Sequence, residues 1–122
     1  MRKLFVLPLA CAVISGCACA QPQDTEPQVT AEVTEVLSRI AAGQTPQERF
    51  TERGAAMTLG SGSAARQLRG CLAPSLRLLD RRVDGEDRQY LYRVDCGDQT
   101  WQLEVDYNKA ARINRLELRP MR

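Results

Sequence analysis

The sequence predicts an α+β domain in which N-terminal helices pack on one face of a four-stranded antiparallel meander. Two changes of pattern carry this prediction. Between Val29 and Leu72 the apolar residues recur at the three-to-four spacing of amphipathic helices. From Ser75 onward they alternate with polar residues, as in half-buried strands. Two turn signals, Asp84-Gly85 and Gly97-Asp98, divide the alternating half into hairpins. A run of helices followed by a run of strands is the order of an α+β layer.

Val29, Val33, Val36, Leu37 and Ile40 form the apolar stripe of a first helix, which Gly43 stops. Thr45-Pro46-Gln47-Glu48 has the form of a capping box with proline at the first helical position, and so starts a second helix. That helix carries Phe50, Gly54 and Met57 on one side. Gly60-Ser61-Gly62 interrupts, and Ser63 caps a short third helix bearing Leu68, Cys71 and Leu72 until Pro74 ends it. The first strand then runs from Ser75 to Val83.

Tyr90, Tyr92, Val94 and Cys96 alternate with Leu91, Arg93 and Asp95, and Trp101, Leu103, Val105 and Tyr107 with Gln102, Glu104 and Asp106. A two-residue loop at Gly97-Asp98 sets Val94 opposite Trp101, Tyr92 opposite Leu103 and Tyr90 opposite Val105. Slipping by one residue would oppose apolar to polar side chains, so the register is specified. The last strand, Arg112 to Arg119, breaks alternation between Ile113 and Leu116, which predicts a bulge or an edge position.

Ahead of this domain stands an export signal. Arg2 and Lys3 supply a positive start, and Leu4 to Ile14 an apolar core too short for the roughly twenty residues of a membrane span. Ile14-Ser15-Gly16-Cys17 has the residue types of a lipobox, so residues 1–16 read as a signal peptide and Cys17 as a lipidated anchor in the membrane. Residues 17–28 then form a polar tether and 29–122 the single domain. The segment resembles that of bacterial lipoproteins, and in their pattern Ala18 after the anchor, where aspartate would mean inner-membrane retention, implies the outer membrane with the domain in the periplasm. Cleavage after Ala18-Cys19-Ala20, giving a free periplasmic or secreted chain, is the alternative.

Five cysteines reduce to one pair within the domain. A hairpin centred near Gly85-Glu86 sets Cys96 opposite a residue around Ser75, a few positions from Cys71. The predicted disulfide is therefore Cys71–Cys96, in a compartment that permits it. The alternative is two buried free thiols.

Composition excludes more chemistry than it suggests. The chain has 122 residues and no histidine, which removes Ser-His and Cys-His nucleophile pairs and most zinc sites. Of seventeen basic residues, Arg2 and Lys3 leave with the signal, and the remaining fifteen equal the fifteen acidic ones. A neutral domain gives no bulk attraction for nucleic acid. No residue set has metal-site spacing, and nothing calls for a cofactor. Glu104 and Asp106 share a strand face, but the polar face of an amphipathic strand accounts for them. Trp101, Tyr90 and Tyr92 belong to the core rather than a pocket. Arg77, Arg81, Arg82 and Arg88 interleave with Asp80, Asp84, Glu86 and Asp87 as mixed surface. Ser61 and Ser63 belong to a capped linker, since no general base accompanies them. The catalytic set is empty.

Several segments in order, namely Thr45-Pro46-Gln47-Glu48-Arg49-Phe50, Leu76 to Val83, Tyr90-Leu91-Tyr92-Arg93-Val94, Trp101 to Asp106 and Arg112 to Pro120, resemble the small NTF2-like (cystatin-like) modules of secreted bacterial proteins. Some of those modules are fused ahead of serine hydrolases. Arg112 stands where the family often has glycine. The resemblance implies helices on a curved sheet, no catalytic residues, and dimerisation or a shallow concave pocket. The expectation is a non-enzymatic envelope lipoprotein whose domain binds a protein or small ligand, with the membrane, a protein partner or a second copy as partners. An inhibitor or modulator of a periplasmic hydrolase is the alternative, and a small enzyme with an Asp/Glu pocket a third.

Overall fold

Helix α1 (Pro27–Ala41) opens the architecture, followed by a 3-10 turn (Gln47–Arg49), α2 (Glu52–Thr58) and α3 (Ser63–Gln67). Strands β1 (Ser75–Asp84), β2 (Asp87–Cys96), β3 (Gln99–Tyr107) and β4 (Ile113–Pro120) follow. The computed structural model describes residues 24–121; the expected signal segment, Cys17, Cys19 and the alternative cleavage point expected after Ala20 lie outside them. Among the described residues no helix is long and apolar enough to cross a membrane.

Pro27 occupies the first turn of α1, where its missing N–H costs nothing. The helix thus begins inside the segment expected to be tether. Val29, Val33, Val36, Leu37 and Ile40 are all buried, as their spacing requires. Beyond the helix, Gly43 turns into the left-handed region at φ +87°, donating its N–H to the Ile40 carbonyl at 3.0 Å.

The second helix departs from the expectation. Gln47–Arg49 makes only a single 3-10 turn, and Phe50 leaves it extended to bridge Ile113 of β4. The helix restarts one residue later, capped by Thr51, whose hydroxyl accepts from the Gly54 N–H at 2.9 Å and donates to Asn114 at 2.9 Å. Gly54 and Thr58 are its buried residues, while Met57 is exposed. The distant pairing with β4 overrides the local capping box. Gly54 is there because α2 crosses the strand so closely that a Cβ would sit 2.4 Å from the Ile113 carbonyl oxygen. The third helix also differs: its N-cap is Gly62, with Ser63 the first helical residue, and it ends at Gln67. Leu68 is buried just beyond it, whereas Leu72 is exposed on the following loop.

The four strands lie in sequence order, all antiparallel. Val94 faces Trp101, Tyr92 faces Leu103 and Tyr90 faces Val105, the register expected from the two-residue loop. Between Asp106↔Arg115 and Tyr107↔Ile113 the register shifts, so Asn114 is the extra residue of the expected β4 bulge. A second bulge, at Leu79, was not expected. It separates Leu78↔Tyr92 from Asp80↔Leu91 and reverses the facing of everything after it on β1.

One face of the sheet carries Leu78, Tyr90, Tyr92, Val94, Leu103, Val105, Tyr107, Leu116 and Leu118, buried in one cluster with the α1 stripe, Phe50, Ala64 and Leu68. Trp101 packs against this cluster half-buried. Tyr90 and Tyr107 meet edge to face at 5.7 Å. The exposed margin of β4 is closed by the helical half: Ile113, Leu116 and Leu118 carbonyls accept from the Thr51 N–H, the Thr58 hydroxyl and the Gln67 amide at 2.9, 3.3 and 3.2 Å. Cys71 and Cys96 form the expected disulfide, with Cα atoms 5.6 Å apart.

Candidate functional site

With one face roofed and one margin closed, the open face of the sheet is where side chains meet the surroundings. Its residues form rows running straight across the strands. Arg77, Arg93, Gln102 and Arg119 make one row. The next, one side-chain pair along, holds Asp80, Leu91, Glu104 and Glu117, and the one after it Arg82, Gln89, Asp106 and Arg115. A basic stripe therefore borders an acidic one.

Exposed ion pairs tie the acidic stripe to the third row through Arg82 and Arg115, and to the basic stripe through Arg119. Arg115 reaches Glu104 at 3.4 Å and also pairs with Glu117, which Arg119 joins at 3.4 Å. Arg82 meets Asp80 at 3.4 Å and Arg93 meets Asp95 at 3.3 Å. The Arg115 hydrogen bond holds the Glu117 carboxyl below its ordinary range, and a hydrogen bond from Thr100, then Arg93, does the same for Asp95. Such surface pairs contribute roughly 0–1 kcal/mol each, so they open readily for a better partner. Arg77 has no carboxylate within ion-pair reach among the described residues.

Between these rows lies a hollow of about 210 Å³, lined on this face by Asp80, Arg82, Gln89, Leu91, Gln102 and Glu104. Leu91 gives it a small apolar floor. The side-chain amides of Gln89 and Gln102 make no hydrogen bond to protein groups among the described residues, which leaves both donors and acceptors available. The hollow is smaller than a drug-sized site and suits a small group or a short stretch of chain.

The residues singled out from sequence divide between the two faces. Tyr90 and Tyr92 are core, at 1% and 0% exposure. Burial pushes the Tyr92 hydroxyl up to about 12, against the lowering effect of its hydrogen bond with Thr30 at 3.1 Å. Burial likewise raises Tyr107, whose hydroxyl has no partner among the described residues. The four arginines expected to form one mixed surface are split between the faces, Arg81 and Arg82 by the Leu79 bulge and Arg88 by standing two residues before Tyr90 on β2. Arg77 and Arg82 stay on the open face. Arg81 and Arg88 turn to the helix side, where both pair with Glu26 just ahead of α1. Their guanidinium groups lie 6.0 Å from the Tyr90 ring and 5.6 Å from the Tyr107 ring respectively. This corner staples the start of α1 onto the sheet.

Glu104 and Asp106 share the open face, as expected. Asp106, however, is not simply solvated: one carboxylate oxygen is shielded and unpartnered. Desolvation first, and the Glu104 charge second, raise its pKa. A raised native pKa means that the folded state binds the proton more tightly than the unfolded one, so ionisation at neutral pH costs stability that returns as pH falls through that pKa. Asp106→Asn should therefore raise the thermal midpoint at neutral pH, with the gain fading on acidification. Thermal melts across pH check this, and a neutral-pH midpoint at or below the parent's would show the carboxylate to be satisfied.

Sequence reasoning missed Gln89, Leu91 and Gln102 as a group, although alternation places Leu91 and Gln102 on the face of Glu104. Asp80 and Arg82 could not have been placed, because the bulge sets their facing. Among the described residues no cluster of His, Cys, Asp and Glu could hold a metal ion. In comparisons with known proteins the chain matches no family model, no curated protein and no solved structure.

Proposed function

We propose that the chain is a non-enzymatic lipoprotein of the bacterial envelope, anchored through Cys17 in the outer membrane, whose NTF2-like (cystatin-like) domain binds a protein or small ligand on the open face of its sheet. What carries the reading is the contrast between the two faces. One is filled by helices, while the other presents a hollow with two unused amides beside charged rows held only by weak surface pairs. Supporting the anchor is the lipobox spacing of Ile14-Ser15-Gly16-Cys17.

Two measurements on the native protein test it. The N-terminal peptide of the mature chain should carry acyl chains on Cys17, and Cys17→Ala should release the chain from the membrane fraction; an unmodified start at Gln21 sinks the anchor. A photo-crosslinking residue at Gln102 should give adducts in intact envelopes where the same residue at Glu35, on α1, gives none. Equal labelling at both sites would remove the binding face.

A second reading, an inhibitor or modulator of a periplasmic hydrolase, is favoured by one observation. Leu72 is 64% exposed on a loop held between the disulfide at Cys71 and the buried Pro74. A prepaid loop conformation of this kind lowers the ordering cost of inserting a side chain into a partner.

A further inference from the structure

We infer that the open face takes a short peptide with both termini free, its carboxylate on the arginine row and its ammonium on the acidic row. This inference rests on the proposed binding face and names its ligand class. The observation behind it is the juxtaposition of unlike rows. Arg77 stands directly opposite Arg93, with Gln102 and Arg119 completing the row. Like charges directly opposite one another are destabilising; Asp95 on the same face pairs with Arg93 at 3.3 Å and interacts with the Arg77 charge, yet no carboxylate comes within ion-pair distance of Arg77 among the described residues. A carboxylate laid between Arg77 and Arg93 relieves that repulsion and matches the guanidinium fork.

The adjoining row offers the opposite chemistry. Asp80 and Glu104 border the hollow, and Gln89 and Gln102 supply amide donors and acceptors for a peptide group. Leu91, at the floor, accepts a small aliphatic side chain. Rows on one face of a strand are two residues apart, about 7 Å. Two residues of extended peptide cover about the same length. Charge decides between ligand classes. A polyanion long enough to cover both rows would meet Asp80, Glu104 and Glu117, and a polycation would meet the arginines. A neutral sugar would leave Arg77 opposed to Arg93. A ligand carrying both signs at this spacing is complementary to both rows, and it competes only with the exposed Arg82 and Arg115 pairs that now hold Asp80, Glu104 and Glu117.

The test titrates dialanine into the mature chain, anchored in detergent micelles, with amide shifts recorded by NMR alongside calorimetry. Free dialanine should shift Leu91, Gln102 and Glu104. Amidating its carboxylate or acetylating its amine should each weaken binding about tenfold or more, the size expected for losing a charge-assisted hydrogen bond. Arg77→Gln should abolish the effect of amidation, and Glu104→Gln the effect of acetylation, which a merely structural role for either residue would not do. Doubly blocked dialanine binding as well as the free form overturns the inference. Inorganic phosphate shifting Arg77 and Arg93 while dialanine shifts nothing overturns it too, as does a salt-sensitive doubling of mass in place of peptide binding. If a neutral disaccharide shifts the same residues and dialanine does not, the peptide assignment fails while the binding face survives. If no probe shifts the open face, both fall.

Discussion

Converting both Cys71 and Cys96 to alanine should lower stability by about 3 kcal/mol. The bond joins residues separated by 25 positions, and a cross-link of that span removes roughly this much freedom from the unfolded chain. For a domain of this length the loss is a large part of the roughly 5–15 kcal/mol that separates native from unfolded states. It acts where local structure is sparsest: between α3 and β1 the chain crosses from the helical layer to the sheet with no regular element. Urea titration of the parent and the double variant measures the effect. Coincident midpoints would mean that the unfolded chain gains nothing from being released.

Leu103→Ala should cost a similar or larger amount, about 2–5 kcal/mol, because a fully buried leucine leaves a cavity its neighbours only partly fill. Leu103 has no exposed surface and sits between Tyr92 on β2 and Leu118 on β4, at the centre of the buried face. Gln102, its neighbour in sequence, points the other way. Gln102→Ala should change stability by no more than about 0.5 kcal/mol, as surface substitutions usually do. The pair reads out the sidedness of β3 in one experiment. If the two variants unfold at the same urea concentration, the assignment of the two faces is wrong.

The strands were legible in the sequence where their causes are local. A two-residue loop and clean alternation fix the β2–β3 register, and the broken alternation around Ile113 announces the β4 bulge. The disulfide followed, since hairpin geometry alone brings Cys96 near the start of β1. What could not be read depends on contacts distant in sequence. Phe50 abandons a good helical start because Ile113, far along the chain, offers it a bridge. At Leu78-Leu79 two adjacent leucines hide the bulge, since either one satisfies an apolar position. With that bulge hidden, Arg81 and Arg82 could not be assigned to faces, nor could the hollow's Asp80 and Arg82 be grouped with Gln89 and Glu104.

The sealed flank of β4 has a consequence for how damaged molecules behave. With three of its carbonyls already occupied by Thr51, Thr58 and Gln67, an intruding strand finds no template on that side. On the far side β1 is kinked and studded with Arg77, Asp80, Arg81, Arg82 and Asp84, a poor seed for stacking. Intact molecules should therefore stay apart even at high concentration. A variant that loosens the α2 clasp uncovers bare carbonyls and the apolar face of β4, and its loss from the cell would come through clumping before it came through unfolding.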